Sequence, residues 1–304
     1  MKNSFRIGID LGGSKIECIL LAPDGQEIKR ERISAPQGSY RSTVEAVISL
    51  IRNAEKLTET TPSVGMGIPG SLSKKTNLVR NANSTWLIGK PLKTDIENIL
   101  ERPILLENDA NCFAVSEAVD GKGMQEQIVF GIILGSGVGA GLVIDNKLCK
   151  GANDICGEWG HNPIPWPKHS ELPGDSCYCG KKGCLETFLS GPALEKLYHK
   201  RNPERLSPPQ IAARALSGDI DAETTLREYE NRLARALSQV INILDPHVIV
   251  IGGGLSNIQR LYQNVPKIWE KYIFSENVST RLLPAAHGDS SGVRGAAWLW
   301  NQQR

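Results

Sequence analysis

FRIGIDLGG (Phe5–Gly13), VFGIILGSGVGAG (Val129–Gly141) and VIVIGGG (Val248–Gly254) are three apolar runs that each end in glycines. Short apolar runs bounded by turn residues read as buried strands. The first two continue into a second apolar run, IECILLAPDG and LVIDNKL, each with its own turn, PDG or DN. That pattern predicts two β-hairpins joined at glycine turns. Gly8, Leu11 and Gly12 recur as Gly131, Leu134 and Gly135 at one constant offset. The faint repeat points to two copies of one α/β domain facing each other.

Outward from these strands, helical spacing runs over Ser42–Glu55 and again over Ala222–Leu244. The second helix carries Leu226, Tyr229, Leu233, Leu237, Val240, Ile241 and Leu244 on one face, and Asp245–Pro246 stops it. Strand–helix alternation predicts an α/β architecture. The proline-rich stretch 163–176 and the stretch 201–209 read as loops, and no long linker or low-complexity tract separates the domains. They are therefore expected to share a close interface with a cleft between them.

A chain of 304 residues is long enough for two domains. Hydrophobic residues at 40% and charged residues at 22% are ordinary for a globular protein. The net charge of +2, from 35 basic and 33 acidic residues, gives no field suited to nucleic acid or an anionic membrane. No window approaches about 18 apolar residues, the length that spans a bilayer. Asp10 interrupts the apolar run at the N-terminus, which is not a signal peptide pattern, so a cytoplasmic location is expected. Thiols stay reduced there. Seven cysteines, an odd number, then favour metal or catalytic use over a disulfide framework.

Gly12 and Gly13 follow a buried strand and precede Ser14 and Lys15. Glycines let backbone N–H groups approach an anion closely. The spacing is not that of a Walker loop, and the one formal G-x-G-x-x-G, Gly65–Gly70, holds Pro69 where a helix would have to start. A single glycine pair also fits a plain hairpin; three glycine loops at strand ends favour a nucleotide. Asp10 is a lone acid within an apolar strand. Either it is paired internally or it faces the cleft and helps hold hydrated Mg²⁺ on a triphosphate, the reading favoured here.

Asn108 and Asp109 fall between an apolar strand and a helix. Asp109 reads either as a helix cap or as a general base for phosphoryl transfer to an alcohol. Beside it stand GEWGH (Gly157–His161), Glu186 and NANSTW (Asn81–Trp86), whose carboxylates, amides and imidazole suit a polyol. CYCGKKGCLE (Cys177–Glu186) supplies three soft ligands, Cys177, Cys179 and Cys184. Zinc wants four in a tetrahedron, and His161 is the natural fourth, with His169 and Cys156 as weaker alternatives. A redox pair competes, although the spacing is not C-x-x-C.

These motifs, with GIPG (Gly67–Gly70), ENDAN (Glu107–Asn111) and HGDSSGVRGAA (His287–Ala297), resemble the ROK family of sugar kinases and sugar-responsive repressors across essentially the whole chain. Ser14 and Ser136 stand where threonine is commoner. The resemblance implies two actin-like (ribonuclease H-like) ATPase domains with the active-site cleft between them. Residues 1–118 with the C-terminal helix 291–304 would form the smaller domain, and 119–290 the larger one with the zinc. It implies ATP and Mg²⁺ at Asp10, Gly12, Gly13, Ser14 and Lys15, with Asp10 towards the Mg²⁺. Gly135, Ser136, Gly137 and Gly139 would complete the phosphate site, with Gly253 and Gly254 towards the adenosine. Asp109 is implied as the base; Gly70, Asn83, Asn108, Glu158, His161 and Glu186 as sugar contacts; and His161, Cys177, Cys179 and Cys184 as ligands of a structural zinc. A homodimer is implied as well.

Within the family, NANSTWLIGKPL and the C-terminal motif look closest to bacterial manno(fructo)kinases, so the expected reaction is ATP-dependent phosphorylation of D-fructose at its 6-hydroxyl. N-acetylglucosamine kinase and glucokinase are the alternatives. Trp86 would narrow the pocket an N-acetyl group needs, unless it is a core residue. A DNA-binding repressor is not expected, because few residues precede the phosphate strand and the charge is near neutral. A non-catalytic sugar sensor is disfavoured by Asp109 and the intact glycine loops.

Overall fold

The computed structural model describes residues 4–82, 84–288 and 291–303. The chain divides into two compact units, Met1–Gly121 with Asn146–Leu148 and Asp289–Arg304, and Lys122–Asp145 with Cys149–Gly288. Among the described residues no helix is long and apolar enough to cross a membrane.

The first unit is built on β1 (Arg6–Leu11), β2 (Lys15–Leu21), β3 (Glu27–Ser34), β4 (Ser63–Ile68) and β7 (Leu105–Asn108), with a short pair β5 (Ser71–Leu72) and β6 (Val79–Arg80) beside them. The sheet order is β3-β2-β1-β4-β7. β1 is antiparallel to β2 and parallel to β4, and β4 is parallel to β7, so β1, β4 and β7 end at one edge. Helix α1 (Tyr40–Glu55) lays Val44, Val47, Ile48 and Ile51 into the core formed by Ile7, Ile9 and Met66. Ser39, not a residue inside the periodic stretch, caps it by accepting the Ser42 N–H. Helices α2 (Leu92–Leu100) and α3 (Asp109–Val119) complete the first stretch of this unit.

The second unit repeats the plan. β8 (Ile128–Leu134) and β9 (Val138–Ile144) form a hairpin, and β11 (Val248–Gly252) and β12 (Arg281–Pro284) run parallel to β8 in the order β9-β8-β11-β12. The short β10 (Lys147–Leu148) belongs to the first unit, where the Leu148 N–H donates to Gln302 Oε1. Helices α4 (Glu186–Leu189), α5 (Gly191–His199), α6 (Pro208–Leu216), α7 (Ile220–Leu244) and α8 (Arg260–Trp269) follow in the second unit. In α7, Leu226, Tyr229, Leu233 and Leu237 pack with Ile249 and Ile251 of β11. Asp219 caps its start by accepting the Ala222 N–H, and Asp245 in the left-handed region, just before Pro246, ends it.

Helix α9 (Ser291–Trp298) returns to the first unit and lies almost on the backbone of its sheet. A Cβ at Gly8 would sit 2.0 Å from the Val293 carbonyl oxygen, and one at Gly65 1.9 Å from that of Ala296. Only glycine permits that approach. The end of α3 is held to the same helix: the Asp120 carboxylate accepts from Arg294 Nη2 at 2.5 Å and Trp298 Nε1 at 2.9 Å. The first unit therefore runs on to Gly121, beyond the boundary expected at residue 118, and takes in Asn146–Leu148.

Candidate functional site

In the first unit, parallel strands bring the predicted residues to one sheet edge. β1 delivers Asp10 and the turn Gly12–Lys15; β4 leads to Gly70; β7 ends at Asn108. The turn is closed by the Gly12 N–H donating to the Lys15 carbonyl at 2.9 Å, and Gly13 and Ser14 are left exposed at its tip. Asn108, not Asp109, is the cap of α3, accepting the Ala110 N–H at 2.9 Å. Its amide Nδ2 donates to the Gly70 carbonyl at 3.0 Å, which ties the two strand ends together. Gly70 has φ +108 and meets the Arg80 carbonyl where a Cβ would be, so no other residue fits there without strain. Asp109 is the first helical residue, one oxygen accepting from the Ala110 N–H at 2.8 Å. Asn83 lies outside the described residues.

Asp10 is electrostatically uncomfortable. Burial first, then the carboxylates of Asp109 and Glu17, push it up to about 7, with Lys15 and Arg32 opposing. Glu17 is its cross-strand partner on β2 and is itself buried, bound by Arg32 at 2.6 Å. A desolvated acid beside two others is the donor chemistry that a hard divalent cation completes, so Asp10 fits a Mg²⁺ role.

In the second unit β8 and β11 are parallel, and their glycine ends meet. A Cβ on Gly253, which has φ +80, would lie 2.4 Å from the Leu134 carbonyl oxygen. The Gly135 N–H donates to Gly137 O and the Gly191 N–H to Gly135 O, leaving Ser136 exposed at the loop tip. Gly139, expected in the phosphate loop, instead lies inside β9 opposite Ile133, because the turn is already closed at Gly137. Gly254 begins a short 3₁₀ turn after the strand.

Ligand atoms of His161, Cys177, Cys179 and Cys184 all lie within 4.8 Å of one another. Cys179 and Cys184 sulfurs are 3.6 Å apart, and His161 Nδ1 is 3.5 Å from Cys177 Sγ. A zinc tetrahedron with Zn–S bonds of about 2.3 Å has edges of roughly 3.8 Å, so the set fits the ion. Burial and the neighbouring thiols push Cys184 up, so holding the three sulfurs together as thiolates would need a cation. His169 and Cys156 are not in the cluster, and Cys156 lies against Cys149 instead.

Sequence reasoning missed Tyr178. Its hydroxyl is 2.9 Å from His161 Nε2, the nitrogen left over when Nδ1 serves the cluster, and its ring stands edge-on to the imidazole. Its place between two cysteine ligands was the available signal. Glu158 Oε2 is 3.9 Å from the same nitrogen. Glu186 Oε2 accepts the Val138 N–H at 3.0 Å while Oε1 lies 3.9 Å from Cys177 Sγ, so this carboxylate joins the cysteine knuckle to the glycine hairpin. Trp86 belongs elsewhere. Its Nε1 donates to Thr43 Oγ1 at 3.1 Å and its ring packs on the first unit's core, so the expectation that it narrows a sugar pocket is withdrawn.

Two N-acetyl-D-glucosamine kinases are similar along their whole length: that of Erwinia tasmaniensis is 38% identical over 305 residues, covering 96% of this chain and 98% of its own. That of Pasteurella multocida is 38% identical over 301 residues, covering 97% and 99%. Among solved structures, a ROK family glucokinase from Streptomyces griseus, in complex with glucose and AMPPNP, superposes with a TM-score of 0.79 at 27% identity, covering 97% of this chain and 98% of its own. The two-domain α/β plan described above is thus the actin-like ATPase fold of ROK kinases. The ROK family pattern matches residues 6–303, and the chain belongs to the ROK family.

Proposed function

We propose that this chain is an ATP-dependent sugar kinase that phosphorylates N-acetyl-D-glucosamine on its 6-hydroxyl. The sugar kinase reading rests on family membership and on the kinases it resembles. The observation that carries the substrate is end-to-end similarity to N-acetyl-D-glucosamine kinases. It replaces the fructose expectation, whose structural argument depended on Trp86.

Asp109 is assigned as the general base. Its helix start and the Asn108–Gly70 bond hold the carboxylate at the strand edge, where it would accept the hydroxyl proton. Asp10 would hold hydrated Mg²⁺, which supplies charge neutralisation on the triphosphate. Backbone N–H groups of Gly12–Ser14 and Gly135–Gly137 would take phosphate oxygens, with Lys15 adding charge, and Gly253–Gly254 would pass the adenosine. Glu158, His161, Glu186, Asn108, Gly70 and Asn83 are assigned to the sugar. Zinc on the Cys₃His cluster would act as a structural crosslink. His161 then offers Nε2–H as a donor of fixed orientation. The homodimer remains a proposal, tested by light scattering.

The test is ATP-dependent ADP release with N-acetylglucosamine, glucose, mannose and fructose, beside an Asp109→Asn control. N-acetylglucosamine should have the highest kcat/KM. A lead by fructose would restore the fructose specificity, and failure of every sugar to stimulate turnover in zinc-replete protein would favour the non-catalytic sensor.

A further inference from the structure

The loop 163–176 joins two arms of the cysteine cluster, from just after His161 to just before Cys177. It has little regular structure of its own, yet a buried ion cluster grips its middle. Glu171, 4% exposed, accepts from Arg235 Nη2 at 2.7 and 2.9 Å, from Arg232 Nε at 2.9 Å and from the Lys168 N–H at 2.8 Å. Burial disfavours the ionised acid, but these bonds outweigh it and hold the carboxyl below its ordinary value. Arg235, 1% exposed, donates from Nη1 to the carbonyls of Pro165 at 3.0 Å and Trp166 at 2.7 Å and from Nε to Asn231 Oδ1 at 3.1 Å. Arg232 is balanced by Glu228 at 2.6 Å and lies over the Phe188 ring of α4, the helix that begins with Glu186. Both arginines come from α7, the 25-residue helix whose apolar face lies in the core of the unit.

We infer that Glu171 and Arg235 are positioning residues that hold His161 and Cys177 in register for the metal, and through it orient His161 towards the sugar. The inference rests on the zinc and sugar assignments proposed above. The loop is stitched to the cysteine knuckle at its ends, with the Ile164 N–H on Gly183 O and the Cys177 N–H on Lys181 O. Those bonds fix only the ends, and the clamp fixes the span between them. A planar guanidinium that meets a carboxylate and two carbonyls at once sets orientation as well as distance, which an ammonium cannot reproduce. Partners that orient metal ligands change metal affinity by about 10–100-fold when removed.

The experiment uses the full-length, zinc-loaded protein and measures zinc transfer to a chromophoric chelator together with sugar KM and kcat. The variants are Arg235→Lys and Glu171→Gln, with Arg260→Lys as control. Arg260 joins Glu223 and Glu230 of α7 without touching the loop. The clamp variants, Arg235→Lys included, should release zinc roughly tenfold faster or more and raise sugar KM more than they lower kcat. The control should melt lower with unchanged zinc transfer. Clamp variants that only melt lower, with zinc transfer and KM as in the wild type, would overturn the inference. A wild-type protein that holds no zinc would overturn the metal reading, and the inference with it.

Discussion

Asp10 of the first unit and the acids Glu171 and Glu223 of the second stand in opposite surroundings. At the sheet edge of the first, Asp10 faces Asp109 and Glu17 and is pushed up to about 7. In the second, Glu171 meets two guanidinium groups, and Glu223 is held down to about 2, chiefly by its bond to Arg260 and further by Arg227. The first arrangement sets carboxylates against one another, which suits a hard cation. The second is closed within the protein and serves to hold backbone. Burial of an acid therefore says little about its use; the sign of its neighbours decides.

The strongest way to break this contrast is Asp109→Asn. It should lower kcat by roughly 10²–10⁴-fold with little change in melting temperature. A variant that kept near-normal turnover in the ADP-release assay would remove Asp109 as base. Next comes Cys184→Ala, which should abolish stoichiometric zinc by metal analysis and lower the melting temperature by many degrees, because metal binding and local folding are coupled. Zinc retained at one per chain would put the ligand set in doubt.

Acid–base linkage separates the two units directly. Asp10 takes up a proton more readily folded than unfolded, so its contribution is full below about 3.8 and is lost as pH rises through about 7. Glu223 behaves oppositely: its contribution is full above about 4.5 and is lost as pH falls through about 2. In denaturant titrations without magnesium or nucleotide, Asp10→Asn should remove a decline between pH 4 and 7. Glu223→Gln should blunt the loss on acidification. Identical pH profiles for wild type and both variants would dissolve the contrast. The smallest effect is expected from Asp219→Ala, about 1 kcal/mol of stability from the lost cap of α7, with zinc content and kinetics unchanged.

Much of this was readable in the chain. The glycine-ended strands gave both hairpins and their repetition, since side-chain alternation and turn chemistry act over a few residues. The cysteine knuckle was readable because ligand spacing is local too. Trp86 was not: an indole is equally at home in a core or a pocket, and only the bond to Thr43 decides. A glycine-rich run likewise does not say where the hairpin closes, and Gly139 falls in β9 just past the turn. Neither Glu171 nor Arg235 carries any motif, and they are far apart in sequence.

The sequence by itself determined the glycine-ended strands and hairpins, the helices over Ser42–Glu55 and Ala222–Leu244, the cysteine motif and the family, all set by short-range preferences and residue chemistry. Tertiary structure alone decided which acids are opposed and which are paired, that Asn108 reaches Gly70, that α9 lies on Gly8 and Gly65, and that Arg232 and Arg235 of α7 bind Glu171. These depend on desolvation and on contacts between residues distant along the chain, and such energies exist only once the chain has packed.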